Sequence, residues 1–326
     1  MPIATSRFEE PFQNDWDRYV RKSNNGTLFH LRQFLGYHPE GRFEDHSLLF
    51  TGSKGLLAVF PAAVQETDGT RQLVSHPGAS YGGLVTPIGL SFQNSFELAA
   101  SLVGYARSNG FDGITLTLPP TIYNRRLSNY VDFALLQHNF VYTRREISSI
   151  LYLEPSPEDN LAKFTDASRR AVKKARESGV VVRFSDDAAT FYNILLHNLE
   201  RRHNVKPAHS LEELVRLMGL FPDEIHLLAA YLGNRMIAGI TIFDANPDVT
   251  LAFYISHDET YQEYRAVNLL VYELIKWAAQ RGFRYLDFGI FTVNMDPNLG
   301  LARFKESFGA SGMFRDTLTI DLNAGA

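Results

Sequence analysis

The chain has no cysteine among its 326 residues. That absence excludes disulfide frameworks, zinc ribbons, iron–sulfur clusters and thiol nucleophiles together. Long apolar runs are missing too. No stretch approaches 18 uncharged apolar residues, so nothing is expected to span a bilayer. The first ten residues lack the basic and apolar regions of an export signal, and the expected location is cytoplasmic. Neither sign of charge dominates: 32 basic against 36 acidic side chains give a formal charge of -4, which excludes a supercharged nucleic-acid tail. No Gly-x-Ser-x-Gly elbow, Walker A sequence or Gly-x-Gly-x-x-Gly fingerprint occurs, which weakens serine hydrolase, P-loop and Rossmann readings. His197, His203 and His209 are spaced so that no two share a helical face, and no metal site is expected.

What is present reads as an α/β chain. At 45% apolar and 21% charged the composition is that of a globular protein, and its length points to two domains. Residues 48–61 form two apolar runs around a Gly-Ser-Lys-Gly turn, and residues 226–243 repeat that hairpin design around Gly233 and Asn234. Residues 96–109 read as an amphipathic helix, stopped by Gly110 before a strand. Residues 268–280 read likewise, stopped by Gly282 before a strand. The matches keep their order at nearly constant offset, the signature of a doubled domain. The Pro-rich break at 154–157 suits a junction, giving domains 1–153 and 154–326, each a mixed central sheet flanked by helices, with a cleft where they meet. A single helix is expected over 161–178. Ser210 and Glu213 have capping-box spacing, starting another at Leu211.

Two segments carry concentrated charge or loop chemistry. Arg169, Arg170, Lys173, Lys174 and Arg176 form a basic ridge on a helix whose Val172 and Ala175 face inward. It is either a phosphate-attracting surface or a solvated helix face. Near the C-terminus a strand ends at Asp287, Phe288 and Gly289. A polar loop follows, then a short helix carrying Arg303, Phe304 and Lys305. Ligands of open sheets sit beyond strand ends on loops of this kind. There Arg303 and Lys305 suit a phosphate and Phe304 a base, although basic residues close many ordinary helices. A carboxylate such as Asp287 at a strand end is equally suited to capping a loop.

Several segments together resemble the FemAB family, aminoacyltransferases of peptidoglycan peptide bridges within the broader GNAT (acyl-CoA N-acyltransferase) fold. They are residues 16–20 with 25–30, 168–180, 198–203, 264–270, and 287–289 with 300–310, in order along nearly the whole chain. The resemblance implies tandem GNAT domains. It implies transfer of an acyl or aminoacyl group, from aminoacyl-tRNA or acyl-CoA as co-substrate, to an amino group of a cell-wall or surface-polysaccharide precursor. No tightly bound cofactor and no stable membrane insertion are implied, and the substrate is expected to assist its own deprotonation. By the same resemblance Phe304 and Lys305 would face the donor and Arg201 and Arg202 the acceptor. Tyr254 would hydrogen-bond the reacting carbonyl, and Arg265 and Asn268 would open an anion-binding helix. Lys305, Tyr254 and Asp287 are thus the catalytic candidates.

Two departures accompany the resemblance. The helical-hairpin arm of some members is absent. The GNAT pyrophosphate loop, normally glycine-rich, reads Tyr261 to Asn268 without a glycine. An N-acetyltransferase acting on a free small amine or amino sugar, and a non-catalytic phospholigand-binding tandem domain, are the alternative readings.

Overall fold

The computed structural model describes residues 3–203 and 206–323, and the side chains of these except at 200–203. They pack as two compact units, Met1–Glu146 with Phe314–Ala326, and Ile147–Met313.

The first unit opens with β1 (Ala4–Arg7), α1 (Gln13–Lys22) and α2 (Arg32–Leu35). It continues through β2 (Glu44–Asp45), β3 (Leu48–Gly52), β4 (Gly55–Phe60), β5 (Ala62–Thr67) and β6 (Thr70–Ser75). Strand β3 pairs antiparallel with both β1 and β4, and β5 pairs antiparallel with β6. Pro61 stands between β4 and β5, where a residue without an N–H interrupts the ladder and lets the two segments take different partners. Helix α3 (Phe92–Ser108) starts at Ser91, whose hydroxyl accepts the Asn94 N–H at 3.1 Å. It buries Leu98, Ala99, Leu102, Val103 and Ala106 at helical spacing. Gly110, at φ 69°, makes the left-handed turn into β7 (Gly113–Thr117), and β7 lies parallel to β6. Helix α4 (Tyr130–Gln137) follows.

The second unit repeats this plan. Its elements are the later part of β8 (Val141–Tyr152), α5 (Pro157–Ala162), α6 (Asp166–Glu177), β9 (Val180–Phe184), α7 (Ala188–His203) and α8 (Leu211–Leu220). Then come β10 (Ile225–Leu232), β11 (Arg235–Asp244), β12 (Val249–His257), α9 (Ala266–Gln280) and β13 (Tyr285–Ile290). A small hairpin of β14 (Thr292–Val293) and β15 (Asp296–Pro297), α10 (Leu299–Glu306) and β16 (Ser311–Asp321) complete the order. Strands β9 to β12 form an antiparallel meander, and β13 joins β12 in parallel through α9. Alternation along β10 sends Leu228 and Ala230 into a core with Leu270 and Leu274 of α9. Leu227 and Ala229 go to the opposite face, with Phe191 and Leu195 of α7.

The last strands complete the correspondence between units. The parallel strand of each has an antiparallel neighbour on its other side: β7 pairs with β16 over Thr317–Asp321, and β13 pairs with β8 over residues that include Leu151 and Tyr152. The chain-order successor of α4 therefore serves the second unit, and the successor of α10 serves the first.

Two expectations are corrected by this arrangement. The sequence placed the junction at 153/154. The units divide at 146/147 because β8 runs through the region as strand, and residues 314–326 return to the first unit. The expected single helix over 161–178 is two, α5 and α6, because the Thr165 side chain accepts the Ser168 N–H and caps a new helix there. Ser210 and Glu213 do form their capping box, with α8 beginning at Leu211.

Candidate active site

The ladder between β12 and β13 covers only Val249–Leu251 against Tyr285–Asp287, although β12 continues to His257 and β13 to Ile290. Beyond that point, within the second unit, lies a cavity of about 500 Å³. Ile255 and His257 of β12 and the first turn of α9 form one wall, and Asn298, Gly300, Leu301 and Phe304 of α10 form another. The C-terminal end of a parallel pair is where open α/β sheets hold ligands.

The cavity is suited to an anion. Arg265 and Asn268 line it, and among the described residues no aspartate or glutamate does. Arg265 is exposed, and helix α9 has no side-chain cap at its N-terminus, so its first amides and the positive end of its dipole lie at the cavity. The Arg265 backbone is itself left-handed, φ 55° and ψ 31°. A position whose backbone favours glycine is thus held here by an arginine, which adds a guanidinium beside the helix start.

Phe304 is half-buried on the α10 wall and packs edge-on to Phe308, 5.0 Å between ring centroids. Lys305, next in sequence, points the other way. It is 3% exposed, and its Nζ donates to the Gly289 carbonyl at 2.7 Å and the Ile290 carbonyl at 2.8 Å. Burial lowers its pKa to about 8, partly opposed by the Asp287 charge. Asp287 is fully buried; its Oδ1 accepts the Ser148 hydroxyl at 2.6 Å and the Gly289 N–H at 2.7 Å. Gly289 itself is at φ 72°. Asp287 and Lys305 therefore tie down the turn that carries the chain from β13 toward α10, one through an amide and the other through carbonyls.

The remaining sequence candidates separate from this group. Tyr254 lies in the cluster with Phe191 and Leu195, on the α7 side of the sheet. Its hydroxyl receives the His209 N–H at 3.2 Å and meets His209 Nδ1 at 2.8 Å, and burial raises its pKa. Arg303 is exposed on α10 and does not line the cavity. Arg201 and Arg202 lie outside the residues whose side chains are described. The basic ridge of α6 is largely paired. Arg169 bonds Asp166 and the Phe164 carbonyl, Lys173 meets Glu177 at 3.7 Å, and Arg176 meets Glu273 at 2.8 Å. Arg170 and Lys174 of that ridge are exposed and make no ion pair among the described residues.

Two polar cavity residues were not singled out from the sequence: His257 and Asn298. Asn298 had a legible signal, a short polar side chain before a helix, and its Oδ1 does accept the Leu301 N–H at 2.9 Å. A wider, more open concavity of about 950 Å³ lies at the β10–β11 turn, but its arginine, Arg235, is paired with Asp258 at 3.2 Å and Asp187 adds a second carboxylate. It lacks the anion-binding character of the smaller cavity. Among the described residues no helix is long and apolar enough to cross a membrane.

Residues 162–306 match the acetyltransferase (GNAT) domain family model. The whole chain is similar in structure to FemX, at 12% identity and a TM-score of 0.75, covering 98% of each chain. It is also similar to L-PGS from Bacillus licheniformis, at 12% identity and TM-score 0.60, covering 98% of this chain and 94% of that one. A tandem GNAT protein from the clavulanic acid biosynthesis pathway matches at 9% identity and TM-score 0.55, over 98% and 99%. None of the curated proteins matches the chain by sequence. The fold is two GNAT-like domains in tandem, and the cavity at the α9 N-terminus lies inside the segment that matches the family model.

Proposed function

We propose that this chain, a FemAB-like tandem GNAT acyltransferase, moves an acyl or aminoacyl group from a phosphate-bearing donor to an amino group of a cell-wall or surface-polysaccharide precursor. The observation that carries the reading is the carboxylate-free cavity where β12 and β13 part, with Arg265, Asn268 and the uncapped start of α9 at one end and Phe304 at the other. CoA and the acceptor end of a charged tRNA share the chemistry that this cavity suits, a phosphate joined to a nucleoside. The phosphate lies against Arg265 and the α9 amides, and Phe304 stacks on an adjacent flat group.

In the reaction the acceptor amine attacks the donor carbonyl, giving a tetrahedral oxyanion. Collapse expels the CoA thiolate or the tRNA ribose alkoxide, which takes up the proton that the amine gives away. Catalysis on this reading rests on holding donor and amine in register and on hydrogen-bond donors facing the oxyanion. Lys305 and Asp287 act as positioning residues, fixing the turn between β13 and α10. An ammonium has three N–H bonds, and the two carbonyls account for two of them.

Thermal-shift and filter-binding measurements with acetyl-CoA and with charged tRNA test the reading. Stabilisation by one donor, diminished in Arg265→Ala and Asn268→Ala, is the expected result. Binding of neither donor to the wild-type chain overturns it.

A further inference from the structure

The doubled fold has a consequence for the first unit. Its parallel pair, β6 and β7, is also laddered over only three residues, Gln72–Val74 against Gly113–Thr115. A cavity of about 550 Å³ lies past that ladder, between the start of α3 and the start of α4. It holds the same topological place in the first unit as the α9–α10 cavity does in the second. The two differ in chemistry. Helix α3 is capped by Ser91, so its N-terminus is less open to an anion. A carboxylate, Asp132, lines this cavity where the other has none.

Of the polar side chains that line it, Asn24 and Asn25 are tied to the surrounding backbone, Asn24 to Arg126 and Asn25 to Leu84 and Thr86, while Arg126, Asn124 and Asp132 converge on the opening. The Arg126 guanidinium is exposed on the rim, and the Asn124 amide is half-buried. The Asp132 carboxylate accepts from its own backbone N–H and, at 3.5 Å, from the Asn129 amide, and burial raises its pKa. The rim carries an aromatic corner: Phe92 and Tyr130 stand 5.2 Å apart with ring planes at 71°, and they are 46% and 48% exposed. Two half-exposed aromatic rings at a right angle give a flat ligand one face to stack on and one edge to abut.

We infer that the cavity between α3 and α4 is a second ligand site, one that takes a pyranose sugar or amino sugar. The C–H face of the ring lies on Phe92 or Tyr130, because those hydrogens carry partial positive charge and the aromatic face is negative. The hydroxyl or amino groups reach Asp132, Asn124 and Arg126, whose mixed donors and acceptors match a polyhydroxyl edge better than a phosphate. Sugar binding here does not depend on the acyl-transfer reading. Its use as the grip on a glycan-containing acceptor rests on that reading.

Saturation-transfer NMR on the full chain with glucosamine, N-acetylglucosamine and chitobiose tests the site. The expected result is transfer to the pyranose C–H protons of at least one sugar, with affinity falling tenfold or more in Phe92→Ala and in Asp132→Asn. Arg126→Ala, an exposed change that leaves the core untouched, is expected to lower affinity at least threefold and guards against misfolding of the other variants. Arg265→Ala should bind the sugar normally, which separates this site from the donor cavity. No transfer to any of the three sugars overturns the proposal, as does binding that survives all three first-unit changes. Displacement of the sugar by acetyl-CoA in Arg265→Ala would assign the cavity to a thioester and also overturn it.

Discussion

Arg265 separates backbone geometry from side-chain chemistry at one position, because glycine and alanine remove the same guanidinium with different consequences for the backbone. A non-glycine residue in the left-handed region costs about 1–2 kcal/mol. At φ 55° Arg265→Gly removes that strain, whereas Arg265→Ala retains it. Part of the gain returns as lost chain entropy in the unfolded state, leaving about 0.5–1 kcal/mol in favour of glycine over alanine. For a domain of this size that is a difference of about 1–4 °C in Tm, readable by calorimetry. Donor binding should behave otherwise. Loss of a charge-assisted hydrogen bond costs about 1.5–3 kcal/mol, so both variants should bind the donor about ten- to a hundredfold more weakly. The deficit should shrink at high salt, where phosphate contacts are screened. Equal melting temperatures for the two variants would refute the strain argument. Unchanged donor affinity in both would refute the assignment of the guanidinium to the donor.

Other expectations follow from the turn between β13 and α10. Lys305→Met leaves the Gly289 and Ile290 carbonyls without their donor and should cost about 1–3 kcal/mol in a denaturant titration. The pKa of Lys305 is lowered from 10.5 to about 8, so between those values the unfolded chain binds the proton more readily than the folded one. Stability of the wild type relative to Lys305→Met should therefore rise with pH from about 8 to 10.5, by at most about 1.4 kcal/mol per unit, and be flat below 8. Gly289→Ala places a Cβ at φ 72° and should lower stability by about 1–2 kcal/mol, with donor affinity reduced as α10 shifts. A chain cut to 154–326 lacks β8, the antiparallel neighbour of β13, and lacks Ser148, the hydroxyl donor to Asp287. It should give a poorly dispersed amide spectrum, and a sharp cooperative melt from it would contradict the pairing.

Much of the fold was legible because local signals agreed with the global plan. Gly110 and Gly282 stop α3 and α9 in left-handed turns, Ser210 and Glu213 start α8, and Gly233 closes the β10–β11 hairpin. What was not legible depends on pairing at long range. Nothing in the alternation of β8 says that it lies beside β13, nor in β16 that it lies beside β7, since period-two patterning gives the face of a strand and not its neighbour. The Pro-rich segment at 154–157 looked like a domain border, but Pro157 opens α5 at its first turn, a position where a missing N–H costs nothing. In the site, Arg265, Asn268 and Phe304 were reachable by resemblance. Sequence alone could not show that Lys305 turns inward while Phe304 lines the cavity, because adjacent helical residues differ by about 100° in direction.

The repeated plan also explains why one site reads as a donor pocket and the other does not. The two halves share the architecture that opens a sheet at the end of a short parallel ladder, so both inherit a cavity at a helix start. Three local features then set their chemistry. Ser91 satisfies an amide at the start of α3, whereas Arg265 supplies no side-chain cap to α9. Asp132 lines one cavity, and among the described residues no carboxylate lines the other. The aromatic pair Phe92 and Tyr130 faces solvent, whereas Phe304 is half-buried against Phe308. An anionic thioester or ester donor loses an amide partner and gains a repulsive neighbour in the first cavity, and an uncharged sugar loses its stacking corner in the second. Electrostatics and stacking thus give two openings of one repeated plan different chemistry without any change in the course of the sheet.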